Sequence, residues 1–308
     1  MEPVPGRILI IANPISGRGK SSRRAARIAR LLQERGCTVD LRSTVRAGDA
    51  VRLAGDAAGC AAVVAVGGDG TINEVLNGLP THAPPLGIVP TGTANVMAKE
   101  LGLPRRLGAL AQVIARGHHT FWDLGINRTT GRKFLLFASA GFDAAIVRRF
   151  LSERGGTIRM SDYIAWGLRS LPDFEAPVIR VEVDGRLIEP RASWVEVANV
   201  AAYGGPLVLA PQALPTDGLF DVMIQTAHRR RDAMRLMFAG LWRYGLRRPY
   251  PMRDLRLVRG RHVRLGAEGE PALQLDGDPA GALPATFELI PRAVRVLTRR
   301  SGPVGSTP

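Results

Sequence analysis

Residues 63–78, VVAVGGDGTINEVLNG, place Gly67, Gly68, Asp69 and Gly70 where an apolar strand turns into a helix that opens with Thr71 and carries Glu74. Glycine lets backbone approach a ligand closely and adopt positive φ. A carboxylate at the carboxyl end of a buried strand is positioned to act on a cation or a hydroxyl. A second stretch, NPISGRGKSS at residues 13–22, is a glycine-rich turn at a helix N-terminus, where backbone N–H groups bind anions. Gly19, Lys20 and Ser21 match the end of the phosphate-binding pattern G-x-x-x-x-G-K-[ST], but Pro14, which has no N–H, stands at its first glycine. A third, VPTGTANVMAKELGLP at residues 89–104, leaves a strand through Pro90, Thr91, Gly92 and Thr93 and opens a helix at Asn95. Tight turns and helix caps use these residue types too. Three such loops on one sheet edge point to a phosphorylated ligand.

The elements that hold these loops are legible in the hydrophobic pattern. RILIIAN, CTVDLRST, AAVVAV and PLGIVP read as strands, and residues 20–35, 47–58, 71–78 and 94–102 as helices. Strands alternating with helices imply a doubly wound parallel sheet, which binds ligands at the carboxyl ends of its strands. AAVVAV does not alternate, as expected of a strand covered on both faces. After about residue 122 the chain turns strand-rich, with Gly and Asp at the turns, and VEVDGRLIE reads as a hairpin on a DG turn. Helical patterns at residues 158–171 and 230–246 interrupt it. The expected organisation is an α/β domain over residues 1–122 and a mostly antiparallel β domain over residues 123–308.

The chain has 308 residues and a formal net charge of +15, which favours anionic partners: nucleotides, nucleic acid or an anionic membrane surface. Lysine occurs only at Lys20, Lys99 and Lys133, so arginine carries the excess. No zinc-finger spacing or aromatic RNA-binding pattern accompanies it, and no nucleic-acid partner is expected. Cys37 and Cys60 form no disulfide framework and suit a reducing compartment. No stretch has the roughly 20 apolar residues of a membrane span. The segment HRRRDAMRLMFAGLWRYGLRRPY, residues 228–250, is amphipathic. Arg229, Arg230, Arg231 and Arg235 are placed to face anionic lipid, and Met237, Leu241 and Trp242 to be buried or to dip into the interface.

Taken together, NPISGRGK, VGGDGTINEVLNGL and LGIVPTGTANVMAKELGLP resemble the diacylglycerol kinase catalytic family of lipid kinases. The likeness continues through FLLFASAGFDAAIV, ALPTDGLFDVMI and LDGDP, in family order. The resemblance implies a two-domain fold: an ATP-binding α/β domain, and a β-sandwich carrying the lipid pocket, with the last roughly 15–20 residues returning to the first domain. It implies ATP and Mg2+ as cofactors, with the nucleotide site in the interdomain cleft. Asn13, Pro14, Ser16, Gly17, Lys20, Thr44, Gly67, Gly68, Asp69, Gly70, Thr71, Glu74, Thr91, Gly92, Thr93 and Asn95 would then surround the nucleotide, with Asp69 toward magnesium. The Asp276-Gly277-Asp278 turn corresponds to the family's D-G-E element, with Asp276 the leading general base and Asp278 the second choice. A structural magnesium would take the Asp217 carboxylate and the carbonyls of Leu214 and Leu219, hard oxygen ligands that suit it. The resemblance further implies a membrane lipid as acceptor, diacylglycerol first, a peripheral cytoplasmic location at the inner face of the membrane, and a homodimer on fold analogy. Phosphatidylglycerol, sphingoid bases and an NAD-type acceptor remain open, as does a non-catalytic nucleotide-binding regulator.

Overall fold

The computed structural model describes residues 6–17, 19–153, 165–167, 169, 175–203, 207–226, 229 and 254–299. The helical segments expected at 158–171 and 230–246 fall almost wholly outside these, and with them Arg230, Arg231, Arg235, Met237, Leu241 and Trp242. In chain order the elements are β1 (Arg7–Ala12), α1 (Lys20–Gln33), β2 (Thr38–Ser43), α2 (Asp49–Ala54), β3 (Ala62–Gly67), α3 (Asp69–Gly78), β4 (Leu86–Pro90), α4 (Val96–Glu100), α5 (Leu107–Arg116), β5 (His119–Asn127), β6 (Lys133–Phe134), β7 (Phe137–Ala140) and α6 (Phe142–Glu153). There follow β8 (Ile179–Val183), β9 (Arg186–Ala192), β10 (Trp194–Ala198), β11 (Ala202–Tyr203), β12 (Leu207–Val208), β13 (Phe220–Gln225), β14 (Leu255–Gly260), β15 (His262–Ala267), β16 (Ala272–Leu275), β17 (Asp278–Ala282) and β18 (Ala285–Leu297). The chain divides into two units, one running to Trp122 and resuming at Arg292, the other spanning Asp123–Pro291.

The first unit is a parallel sheet in the order β2-β1-β3-β4, with the end of β18 joining parallel beside β4 through Val296. β3 is buried at every position, as its unbroken apolar run requires. On α1, Ala25, Ile28, Ala29 and Leu32 recur every three or four residues and bury against Ile8, Ile10, Val64 and Val66, while its arginines stay outside. The helix stops before Gly36, which takes φ 81° and lets the Cys37 N–H return to the Leu32 carbonyl. One helix escaped the pattern reading: LGALAQVIAR forms α5, whose Leu110, Ala111, Val113 and Ile114 are buried. Its spacing carries the helical period, but it lies behind Pro104 and two arginines, where the turn signal dominates. The order β2-β1-β3 reverses direction between β1 and β3, which sets the crevice of such sheets outside those two strand ends.

The second unit is a sandwich of antiparallel strands. One sheet runs β9-β8-β15-β18, the other β14-β13-β10-β7-β16-β17. Side chains from both meet in one core that includes Ala138, Val181, Val195, Val197, Val222, Leu265 and Phe287. The expected hairpin is β8–β9, whose Asp184 and Gly185 both take positive φ, as a two-residue turn between twisted strands requires. At the centre of the core Phe134 stacks on Phe220 with ring centroids 5.6 Å apart and meets Phe287 edge-on at 5.9 Å.

Phe134 is fully buried, so Phe134→Ala is expected to lower unfolding free energy by about 3–5 kcal/mol through lost contact and an unfilled cavity. A urea titration followed by tryptophan fluorescence measures it; a loss below about 1 kcal/mol would mean the core closes over the gap.

Candidate functional site

In the first unit, the loops leaving β1, β3 and β4 are bound to one another. The Asn13 N–H donates to the Val66 carbonyl at 3.0 Å, and the Asn13 side-chain amide to Thr71 Oγ1 at 3.3 Å. Ser21, buried on α1, donates its hydroxyl to the same Val66 carbonyl. The hydroxyls of Ser16 and Thr91 share a hydrogen bond of 3.0 Å, and the Thr91 N–H donates to the Gly67 carbonyl at 2.8 Å. Thr44 joins the same edge through its N–H to the Ala12 carbonyl. Asn13, Ser16, Gly17, Lys20, Thr44, Gly67, Gly68, Asp69, Gly70, Thr71, Thr91, Gly92, Thr93 and Asn95 all lie at this carboxyl edge or on the first turn of the following helix, with Pro14 in the β1 turn and Glu74 one turn along α3.

The glycines have a nearer task than admitting a ligand. A Cβ on Gly92 would stand 2.6 Å from the Gly68 Cα, one on Gly17 2.3 Å from the Thr91 carbonyl oxygen, and one on Gly67 2.3 Å from the Thr71 side chain. No real Cβ tolerates such distances. These glycines let the loops approach each other, and the surface so made presents hydroxyls and amides outward. Asn95 takes positive φ, donates to the Gly92 carbonyl at 2.7 Å and keeps its side-chain oxygen buried without a partner.

Asp69 accepts the Met97 N–H at 3.3 Å and so ties the β3 loop to the start of α4. Burial pushes its carboxyl pKa up; the amides of Val96, Met97 and Asn95 and the Lys99 charge pull it back. Lys20 is exposed on the first turn of α1, with no ion pair to it among the described residues. It is a cation beside helix N–H groups, a combination that suits an anion.

The remaining sequence-selected residues belong to the second unit. Asp276, at φ 51°, is buried, and both its carboxylate oxygens accept from backbone: Leu135 N–H donates to Oδ2 at 2.9 Å, and Leu136 and Phe137 N–H donate to Oδ1 at 2.9 and 3.0 Å. It holds the β6–β7 turn. Asp278 is half-buried; burial raises its pKa, and Arg132 opposes that. Asp217 is ion-paired with Arg259, which also reaches Asp221 at 3.3 Å, and accepts the Leu219 N–H at 3.2 Å. The loop is further held by Asp123, which accepts the Gly218 N–H at 2.7 Å. Asp217, which the resemblance implied would hold a magnesium with the Leu214 and Leu219 carbonyls, thus has Oδ2 paired with a guanidinium and Oδ1 on a backbone N–H. No cluster of three His, Cys, Asp or Glu side chains that could hold a metal occurs among the described residues.

The sequence reading missed a buried polar cluster in this unit. Asp143, at the start of α6, accepts the Ser139 hydroxyl at 2.7 Å and the Tyr203 hydroxyl and Gln274 amide at 2.8 Å each. Trp194 Nε1 donates to Ser139 Oγ at 3.1 Å. Glu196, on β10 beside Ser139, is buried with neither oxygen bonded. Burial, then the neighbouring Asp143, raises its pKa well above the usual carboxyl range. One signal was available: a glutamate inside the apolar run WVEVA is out of place unless the strand meets polar groups on its covered face.

Against this geometry the comparisons with known proteins are direct. The diacylglycerol kinase catalytic domain matches residues 7–126, and the YegS C-terminal NAD kinase beta sandwich-like domain matches residues 137–298. A diacylglycerol kinase of Mycobacterium tuberculosis is 32% identical, the match covering 96% of each chain. One from Bacillus subtilis is 29% identical over 94% of this chain and 96% of its own. The crystal structure of a diacylglycerol kinase from Bacillus anthracis shares the fold at TM-score 0.74 and 22% identity, over 96% of this chain and 97% of that one. The chain belongs to the diacylglycerol kinase family. It is a kinase built of an α/β catalytic domain and a β-sandwich domain. No described helix is long and apolar enough to cross a membrane.

Two predictions follow from these contacts. Gly92→Ala forces the β3 and β4 loops apart and should cost about 1–3 kcal/mol, whereas Gly108→Ala, on open helix surface, should cost nothing; thermal melts of the two variants decide it. A carboxyl whose folded pKa is raised binds its proton more tightly in the folded state. Its contribution is complete below the unfolded value of about 4.3 and is lost as pH rises toward the folded value. Glu196→Gln should therefore melt higher than the parent at pH 8, with the gap closing toward pH 5; equal slopes across this range would mean Glu196 is not the group that titrates.

Proposed function

We propose that this kinase transfers the γ-phosphoryl group of ATP, with magnesium, to a primary hydroxyl of a membrane lipid, diacylglycerol first. The observation that carries the reading is the interlocked loop edge at the β1/β3 switch point with the exposed Lys20 beside it, in a chain whose relatives bear the name diacylglycerol kinase. Phosphoryl transfer needs chiefly positioning and charge neutralisation. Lys20 and the α1 amides offset phosphate charge. Ser16, Thr91, Thr93 and the loop amides orient the phosphates. Asp69 is the carboxylate we assign to magnesium, which when bound neutralises phosphate oxygens. The raised pKa of Asp69 fits an acid that a cation would stabilise in its charged form.

The proton of the acceptor hydroxyl needs a carboxylate that is accessible and lightly hydrogen-bonded. Asp276, which led the sequence reading, has both oxygens on three backbone N–H groups. Asp278 retains acceptor capacity, and a pKa raised by burial brings it nearer the operating range of a base. We therefore assign the base to Asp278 and positioning of the D-G-D turn to Asp276. Membrane contact through the basic segment 228–250 belongs to the same proposal; Arg229 at its start is exposed.

The test is transfer of labelled γ-phosphate from ATP to diacylglycerol, phosphatidylglycerol, sphingosine, ceramide and NAD in mixed micelles with magnesium. Asp278→Asn is expected to lower kcat at least about 100-fold with the KM for ATP little changed. Asp276→Asn should show a lowered melting point, and Lys20→Ala a KM for ATP raised about tenfold. Label in NAD alone would overturn the lipid assignment. ATP bound with no label anywhere would favour a regulator.

A further inference from the structure

The four central strands of the six-stranded sheet of the second unit, β13, β10, β7 and β16, are buried on both faces. One face fills the sandwich core; the other carries Ser139, Trp194, Glu196, Met223, Gln225 and Gln274. Register places Glu196 opposite Met223, and Trp194 opposite Gln225. Glu196 and Gln225 are thus diagonal neighbours on adjacent strands, within reach of one shared group. Each is 1% exposed, and all four of their side-chain polar atoms are buried without a hydrogen-bond partner. Ser139 and Asp143 flank Glu196 on one side, and the apolar neighbours on this face include Met223, Trp194, and Phe142 of α6, whose ring meets Trp194 at 6.2 Å. A core serving stability alone would put valine here, as it does at Val195 and Val197 on the opposite face.

The unpaired atoms also have a defined polarity. Two acids in one dry site do not both ionise. Burial raises the pKa of Asp143 as well, but its three side-chain donors favour the charged form there; Glu196 has no donor to favour its charge. What stands unsatisfied includes two donor groups, a carboxylic O–H and a carboxamide NH2, each beside its own carbonyl oxygen. A phosphate would add negative charge beside Asp143. An amine would require Glu196 to ionise beside it. An uncharged carbonyl acceptor requires neither.

Resting on the lipid-kinase reading, we propose that Glu196 and Gln225 form a recognition site, within the second unit, for the ester carbonyl oxygens of a neutral glycerolipid, the acid and the carboxamide donating to them while the acyl chain lies on the apolar residues around them. The site selects acyl esters over ethers.

The test compares dioctanoylglycerol with the dioctyl diether of glycerol, on the full chain. Both are measured as acceptors in mixed micelles and, without ATP, as ligands followed by tryptophan fluorescence. The parent protein should favour the ester by about tenfold, the worth of one to two net hydrogen bonds. Glu196→Met and Gln225→Met should bring the ester down to the ether's level. Their KM for ATP should be unchanged and their melting points equal or higher. Glu196→Gln, still a donor, should keep most of the preference. An ester preference undiminished in both methionine variants overturns the proposal, as does a dioctylamine bound more tightly than the ester. A lower melting point with equal loss of ester and ether would mark Glu196 as merely structural. If no lipid is phosphorylated while ester binding still depends on Glu196 and Gln225, the kinase reading fails and the site stands. If lipid is phosphorylated with ester preference untouched by the substitutions, the site alone fails.

Discussion

Backbone lies against backbone where the β3 and β4 loops meet, and the loop edge of the first unit depends on that contact. Strands β1, β3 and β4 are parallel neighbours, so their loops emerge side by side within about two strand spacings, roughly 10 Å. No side chain fits between Gly68 and Gly92. With the backbones that close, the Thr91 N–H reaches Gly67 and the Ser16 hydroxyl reaches Thr91. Side chains that would otherwise be turn residues on separate loops thereby become one surface of donors. Asp69 closes the arrangement by holding the start of α4.

The acidic residues divide by what already occupies them. Asp276 spends its oxygens on a turn, Asp217 on Arg259, and Asp143 on two hydroxyls and an amide. A proton or cation arriving at such a carboxylate would have to compete with its donors. Asp69 takes the amides of residues 95–97 at the loop edge, Asp278 is less committed, and Glu196 has no donor at all. The burial of Glu196 and Gln225 without partners costs stability. That is the expected mark of a site whose partner arrives from outside the chain, and it lies in the domain to which the resemblance assigned the lipid pocket.

Much of this protein was present in local pattern. The period of apolar residues determined α1, β3 and the β8–β9 hairpin, because those elements bury one stripe, both faces, or a strand pair joined by a two-residue turn, and each leaves its own spacing. Glycines and hydroxyls following three strands marked the loop edge, and the motif order marked the family. The purpose of Gly67 and Gly92 was not legible, since residues 25 apart in the chain meet only when β3 and β4 pair. The two aspartates of the D-G-D turn are alike in sequence. Only the fold brings the amides of residues 135–137 onto one of them and leaves the other half-buried with acceptor capacity to spare. The same holds for Arg259 on Asp217 and for Glu196 beside Asp143. A residue's type and its local turn were set along the chain; whether its charge was free for chemistry was decided by donors from distant strands, because hydrogen bonding and burial depend on what lies within a few ångströms and not on what lies a few residues away.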